Sequence, residues 1–77
     1  MQAAPPVEIL DLRGVRCPLN WAHARVRLDA LPRGMRLMLR VDDPRAVRDI
    51  PRAAEACGHV LLDIAPDAGG WLIQIER

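Results

Sequence analysis

The fold of this chain is decided by the segment Arg13-Gly14-Val15-Arg16-Cys17-Pro18-Leu19-Asn20, which follows a short apolar run and opens an amphipathic one. Gly14 permits a turn, and Pro18 suits the first position of a helix because it has no amide hydrogen to leave unpaired and its φ is preset. Cys17 is therefore expected at or next to the N-cap, facing the free amides and the positive end of the helix dipole. Such positions lower the pKa of a thiol. Our hypothesis is that Cys17 is a reactive thiolate and that the rest of the chain presents it.

Regular elements are predicted on both sides of this segment. Residues Val7 to Leu12 favour a short strand. Residues Pro18 to Leu31 contain no glycine and carry apolar side chains at helical spacing, which predicts a helix packed on a sheet. The apolar positions are Trp21, Ala24, Leu28 and Leu31. The helix is expected to end at Leu31, because Pro32-Arg33-Gly34 cannot continue it.

The next part of the chain repeats the pattern of strand and helix. Met35 to Val41 alternates between two sets of side chains, which is typical of a half-buried strand. The motif Asp42-Asp43-Pro44 predicts a second helix, with Asp43 at the N-cap and the proline at the first position. Its apolar face comprises Val47, Ile50, Ala54 and Cys57. Pro51 is expected to bend or divide this helix, and Gly58 to end it in the left-handed conformation.

Two final strands are predicted at His59 to Ile64 and Trp71 to Glu76. Residues 66–70 join them, so they should form an antiparallel hairpin. The order is β-α-β-α-β-β, and its first unit requires a right-handed crossover to a parallel neighbour. We therefore predict an α/β (α+β) two-layer sandwich with a mixed four-stranded sheet and both helices on one face. Residues 7–77 form a single domain in this interpretation, and residues 1–6 a loose tail.

Composition excludes several kinds of chemistry. The chain has 77 residues and a formal net charge of +1, so it lacks the basic excess typical of nucleic-acid binding proteins. It contains no Ser, Thr, Tyr, Phe or Lys, which excludes a serine-hydrolase mechanism and a lysine Schiff base. The side chains left for covalent chemistry are two cysteines, two histidines and the carboxylates. All basic residues apart from histidine are arginines.

The two cysteines fit free thiols better than a disulfide. No charged and apolar signal segment opens the chain, and no apolar run approaches the roughly 20 residues of a membrane span. We therefore expect a cytoplasmic protein that has no contact with a membrane and keeps its thiols reduced.

Cys57 is interpreted as a core residue on the second helix, and a role as a resolving cysteine is the weaker alternative. His23 is expected to be a solvated helix residue, and His59 is explained either by the start of a strand or by packing. These histidines and cysteines show no paired spacing of the kind that zinc sites require. We expect no metal site.

The segment Leu10-Asp11-Leu12-Arg13-Gly14-Val15-Arg16-Cys17-Pro18 resembles the N-terminal signature of the TusA/SirA sulfur-carrier family. A second, separated set of residues agrees with that family's second helix and its exit: Asp42-Asp43-Pro44, Arg48-Asp49-Ile50-Pro51 and Gly58-His59. The resemblance extends in register from Val7 to the end of the chain.

The resemblance implies a two-layer α/β fold and a function. Family members carry sulfur as a persulfide on the cysteine that aligns with Cys17, and no cofactor is implied. A cysteine desulfurase or another sulfurtransferase would load the thiol, and a thiol-bearing acceptor protein would unload it. Branches of the family serve tRNA thiolation, cofactor sulfuration or sulfur oxidation. Direct binding of nucleic acid is not expected.

One departure from the family pattern falls beside the cysteine. The usual motif is Cys-Pro-x-Pro, and Asn20 stands where the second proline is usual. Its side chain is expected to hydrogen-bond near the sulfur or back to the loop, as in a capping box. Arg13 and Arg16 either add positive potential that lowers the pKa of Cys17 or are solvated loop residues.

Helix one also carries apolar residues roughly opposite its core face, including Leu19, Ala22 and Val26. They are either scattered surface residues or a partner-docking surface beside Cys17.

Two classes of function remain. The first is a sulfur carrier acting through Cys17, and the second a non-catalytic regulatory or binding module that keeps the fold.

Overall fold

The structure is a computed structural model that describes residues 7–77, so the predicted tail lies outside the described residues. The elements, in chain order, are β1 (Val7–Asp11), α1 (Leu19–Ala30), β2 (Arg36–Val41), α2 (Ala46–Ala56), β3 (Val60–Asp67) and β4 (Gly70–Glu76). The predicted order of strands and helices is confirmed. No helix among the described residues is long and apolar enough to cross a membrane.

The four strands form one mixed sheet in the order β1-β2-β4-β3. Strands β1 and β2 are parallel, as the crossover through α1 requires, and the other two pairs are antiparallel. Both helices cover one face of the sheet, so the predicted two-layer sandwich is confirmed. The parallel pair matters for function because it brings the loops after β1 and β2 to the same edge of the sheet.

The core lies between the helices and the two central strands. Leu37, Leu39 and Val41 alternate along β2 and are buried, as the sequence pattern predicted. They pack with the buried residues of β4 and the helices, which are Ile73, Ile75, Ala24, Leu28, Ala46, Ile50 and Ala54. Burying a side chain of this size contributes about 1.5–3 kcal/mol, and this core holds both helix starts in place.

The hairpin between β3 and β4 is tighter than expected. The strands extend to Asp67 and begin again at Gly70, so the loop predicted over residues 66–70 is wrong. Ala68 and Gly69 both have positive φ, at 41° and 84°, as in a two-residue type I′ turn. This turn matches the twist of the strands and lets Pro66 and Asp67 join the ladder.

Helix α2 begins later than predicted and is not divided. The regular helix starts at Ala46 after Arg45, not directly after Asp43. The Asp43 side chain nevertheless makes the bond expected of a capping residue, since its Oδ1 accepts a hydrogen bond from the Arg45 amide at 3.0 Å. The Asp43 carbonyl also accepts a hydrogen bond from the Ala46 amide at 2.9 Å, in a turn that leads into the helix. Pro51 lies inside one continuous helix with its ring buried. Because proline has no amide hydrogen, the helix lacks one backbone hydrogen bond at this position.

The end of α2 confirms Gly58 but corrects Cys57. Gly58 has φ +85°, its amide donates to the Glu55 carbonyl, and the His59 amide donates to the Ala54 carbonyl, both at 3.0 Å. These are the two bonds of a Schellman motif. Because the chain turns back here, Cys57 is exposed instead of lying in the core.

Candidate functional site around Cys17

The candidate site lies where the loops after β1 and β2 meet. The Leu12 amide donates to the Arg40 carbonyl at 2.8 Å, which continues the parallel ladder past the end of β1. The Gly14 amide then donates to the Asp42 side chain at 2.9 Å. Gly14 has φ +82°, so it allows the backbone to turn towards the second loop. Residues 13–17 are thereby held against residues 42–45.

Cys17 lies directly before α1 and is bound from the opposite loop. Pro18 occupies the N-cap, so Cys17 is next to the N-cap as predicted. The Cys17 amide donates to Asp43 Oδ2 at 2.9 Å, and its thiol donates to Asp49 Oδ2 at 3.6 Å. The thiol is half-buried. Carboxylates from the second loop and from α2 thus contact both the backbone and the sulfur of this residue.

The expected lowering of the thiol pKa is wrong. Burial raises the pKa of Cys17 above its ordinary value, and the hydrogen bond to Asp49 and the charge of that carboxylate raise it further. The Arg45 guanidinium opposes this pKa shift, and the Asp43 carboxylate adds to it. Desolvation and a neighbouring anion both disfavour a thiolate, and together they set the direction of this pKa shift.

Of the two interpretations of the loop arginines, the structure favours solvated loop residues over groups that lower the pKa of Cys17. Arg13 makes a two-point contact with Asp11, through Nε to Oδ1 at 2.9 Å and Nη2 to Oδ2 at 2.7 Å. This contact lowers the pKa of Asp11 to about 2. Arg16 is exposed and borders a shallow groove with Gly14 and Arg45. The guanidinium that lowers the pKa of Cys17 is that of Arg45, not Arg13 or Arg16.

Asn20 ties the start of α1 to the preceding loop. It is fully buried, and its Nδ2 donates to the Val15 carbonyl at 3.5 Å. Its Oδ1 accepts a hydrogen bond from the Trp21 amide at 2.7 Å, and its own amide donates to the Arg16 carbonyl at 3.1 Å. Of the two sequence expectations for Asn20, the structure shows the bond back to the loop.

The outer side of α1 carries an apolar groove that begins next to the cysteine. Leu19 is 56% exposed and Val26 is 72% exposed. They line this α1 groove together with Pro18, Trp21 and Ala22, while Arg25 and Asp29 border it. The three residues predicted to dock a partner therefore form one surface.

Sequence reasoning missed the residues that act on the sulfur. Asp43, Arg45 and Asp49 belong to the turn before α2 and to α2 itself, and no local pattern links them to Cys17. The predicted strand topology could have indicated these residues. In a parallel pair both strands end at the same edge, so the residues after β2 must face the residues after β1. The right-handed crossover from β1 to β2 therefore implies that juxtaposition by itself.

The structure does not bring the second cysteine to this site. Cys57 lines a separate polar cleft with Arg25, Asp29, Arg33, His59 and Arg77. Arg25, Asp29 and Arg33 belong to the C-terminal half of α1 and the turn after it, whereas Cys17 precedes the helix. The two thiols therefore lie at opposite ends of α1. A role for Cys57 as a resolving partner of Cys17 does not fit this arrangement.

Comparisons with known proteins agree with the resemblance found in the sequence. The family model described as Sulfurtransferase TusA matches residues 8–77. A putative sulfur carrier protein of Archaeoglobus fulgidus is 37% identical over 71 residues, covering 91% of this chain and 81% of that protein. Sulfur carrier protein TusA of Pseudomonas putida is 38% identical over 74 residues, covering 94% and 90%.

A solved structure supports the fold independently. The crystal structure of a SirA-like protein from Desulfitobacterium hafniense superimposes with a TM-score of 0.76 at 21% identity, covering 91% of this chain and 95% of that chain. At this identity the likeness concerns the fold alone. The family model, however, spans nearly all of the described residues, and the chain therefore belongs to the TusA sulfurtransferase family.

Proposed function

We propose that this protein is a sulfur carrier that accepts sulfur as a persulfide on Cys17 and passes it to a thiol of another protein. The observation that carries the proposal is a half-buried thiol directly before α1, in a chain whose relatives are named sulfur carrier proteins. The other cysteine lies at the far end of α1, so Cys17 is the candidate for the sulfur-bearing residue.

The transfer is an exchange at sulfur. The Cys17 thiolate attacks the outer sulfur of a persulfide on the donor protein, a new S–S bond forms at Cys17, and the donor's S–S bond breaks. The bonding pair leaves with the donor's inner sulfur, which takes up the proton released by Cys17. Thiol and persulfide therefore yield persulfide and thiol, without an external oxidant. Unloading repeats the exchange with the acceptor's thiol as the attacking group.

The surroundings of Cys17 suit a carrier that enters another protein's site. The α1 groove adjoins the cysteine and exposes Leu19, Ala22 and Val26. Exposed apolar patches of this kind mark interaction surfaces. We propose that the donor, a cysteine desulfurase or another sulfurtransferase, docks there. The pathway served, whether tRNA thiolation, cofactor sulfuration or sulfur oxidation, depends on the acceptor, and a cytoplasmic location remains a prediction.

The direct test is sulfur loading followed by intact mass spectrometry. We expect the wild-type protein, incubated with a cysteine desulfurase and cysteine, to gain the mass of one sulfur atom. Cys17→Ala should gain none, and the matched control Cys57→Ala should load like the wild type. Absence of an adduct with every desulfurase and sulfurtransferase tried would contradict the proposal. Full activity of Cys17→Ala in cells would instead support the non-catalytic module.

A further inference from the structure

The thiol of Cys17 faces a carboxylate that is itself held in position. Asp49 Oδ2 lies 3.6 Å from Cys17 Sγ, and Asp49 Oδ1 accepts a hydrogen bond from Arg48 Nε at 3.2 Å. The charged groups that act on the sulfur are Asp49 of α2 and, before that helix, Asp43 and Arg45, while Arg48 contacts Asp49. The first turn of α1 carries no acidic residue. The field at the sulfur is therefore set largely by residues that follow β2.

We propose that Asp49 restrains Cys17 by holding it as a neutral thiol in the free protein, and that it favours reaction partners that bring positive charge to the sulfur. This inference rests on the proposed function, because it concerns the reactivity of the sulfur-carrying residue. The hydrogen bond from Sγ to Oδ2 exists only while the thiol keeps its proton. Loss of that proton breaks the bond and places two anions side by side, and both effects disfavour the thiolate.

Asp49 is a poor candidate for a general base. A carboxylic acid is ordinarily a much stronger acid than a thiol, so transfer of a thiol proton to a carboxylate is strongly uphill. General bases work best when their pKa lies close to the operating pH. The contact therefore acts on the equilibrium between thiol and thiolate, and Asp49 is a positioning and restraining residue.

The restraint is reversible because Asp49 is accessible. About a third of its side chain is exposed, at 36%, and Arg48, which contacts it, is 70% exposed. A cationic group on a docked donor can therefore reach the carboxylate and weaken its hold on the thiol. With Asp49 neutralised, two of the effects that disfavour the thiolate are removed, while the Arg45 guanidinium continues to favour it. A free carrier would then be protected from unspecific disulfide exchange, and a suitable donor would release its reactivity.

The first test measures the pH dependence of Cys17 alkylation by iodoacetamide in a Cys57→Ala background, which leaves one thiol. We expect Asp49→Asn to lower the pH at which alkylation reaches half its maximal rate and to raise the rate at pH 7 several-fold. A shift of one pH unit corresponds to about a tenfold change. Asp49→Ala is the second variant, and Asp29→Asn, at the far end of α1, is the matched control. An unchanged or raised midpoint in both Asp49 variants, with native circular dichroism, would overturn the proposal.

The second test uses the charge of the reagent. Positively and negatively charged methanethiosulfonates differ mainly in the group they carry to the sulfur. We expect the ratio of cationic to anionic modification rates to fall in Asp49→Asn relative to the wild type. An equal ratio in both proteins would contradict the selection of positively charged partners.

Neither test uses a sulfur donor. Failure of sulfur loading in the wild type would therefore refute the carrier function while leaving the effect of Asp49 measurable. Conversely, normal loading together with an unchanged alkylation profile would refute the restraint alone.

Discussion

The two cysteines lie at opposite ends of α1, and each is next to a helix terminus: Cys17 precedes α1 and Cys57 follows α2. Comparing them shows how the surroundings of a helix terminus change the reactivity of a thiol. Cys17 precedes a helix start, a position that by itself promotes a thiolate, but burial and carboxylates from the neighbouring loop and helix raise its pKa. Cys57 follows the end of α2, where backbone hydrogen bonds close the helix, and its side chain is exposed. The reactivity of a thiol at a helix terminus thus depends on what the rest of the fold places against it.

The two ends also differ in how they are held together. At the Cys17 end, side chains from one loop bind backbone amides of the other: Asp42 binds Gly14, and Asp43 binds Cys17. At the Cys57 end, the Schellman motif needs only Gly58 in the left-handed region. A partner that binds at the Cys17 end therefore meets a network of charges, and small changes there affect both reactivity and stability.

Asn20→Ala should have the largest effect on stability, because Asn20 is fully buried at the Cys17 end. The change removes the bond to the Val15 carbonyl and leaves that acceptor unpaired, which should lower the free energy of unfolding by about 2–3 kcal/mol. Urea denaturation followed by circular dichroism measures this. His23→Ala, an exposed change on the same helix, should stay within about 0.5 kcal/mol of wild type. Equal stability of the two variants would contradict the proposed role of Asn20 as a tie to the loop.

Gly58→Ala tests the Cys57 end. No atom crowds the position, but the left-handed backbone should cost an alanine about 1–2 kcal/mol. Gly58→Asn should cost less, since asparagine tolerates this conformation. Both variants should load sulfur at Cys17 as the wild type does. A loss of loading in a folded Gly58 variant would show that the two ends are coupled.

Alkylation at pH 7 compares the two thiols directly. Cys57 is exposed, whereas Cys17 is half-buried with a raised pKa. We expect iodoacetamide to label Cys57 several-fold faster than Cys17, because the thiolate is the reacting form. Single-thiol variants, Cys17→Ala and Cys57→Ala, give the two rates by mass spectrometry. Faster labelling of Cys17 would show that the helix dipole dominates after all.

Asp43→Asn should produce the smallest change, visible mainly in its pH dependence. Hydrogen bonds from the amides of Cys17 and Arg45 hold the pKa of Asp43 below its ordinary value. A carboxyl whose pKa is lowered by folding stabilises the protein above the unfolded-state pKa of about 4, and this contribution is lost as the pH falls towards the folded-state value. The thermal midpoints of wild type and Asp43→Asn should therefore differ at pH 6 and converge as the pH falls below about 4. Asp29→Asn is the control, and a difference that grows in acid would contradict the prediction.

Local patterns predicted most of the fold. The alternation in β2 and the apolar spacing in α1 each identify the face that meets the core, because side-chain direction follows the period of the element. Element ends were predicted less accurately. The strand pattern missed that Pro66 and Asp67 join β3, since a turn at Ala68 and Gly69 depends on a positive φ at an alanine. Cys57 was misplaced because helical spacing does not show where a helix ends, and the chain turns back at Gly58 and leaves Cys57 exposed.

The candidate site was predicted in part. The sequence indicated the position of Cys17 next to a helix N-cap and the bond from Asn20 to the preceding loop. It indicated a lowered pKa for the thiol, whereas burial and carboxylates separated from Cys17 by 26 and 32 positions raise that pKa. Of the two interpretations of Arg13, the one in which it lowers the pKa of the thiol does not hold. Arg13 is close to Cys17 in sequence, but its guanidinium is bound by Asp11.

The sequence by itself determined the element order, the parallel first pair of strands, the buried faces and the location of one thiol at the start of a helix. These features follow from local propensity, from apolar periodicity and from the handedness of the crossover. Only the tertiary structure decided the chemical state of that thiol. Burial and the distance to Asp49 act through space, and they arise only when the loops after β1 and β2 are brought to the same edge of the sheet.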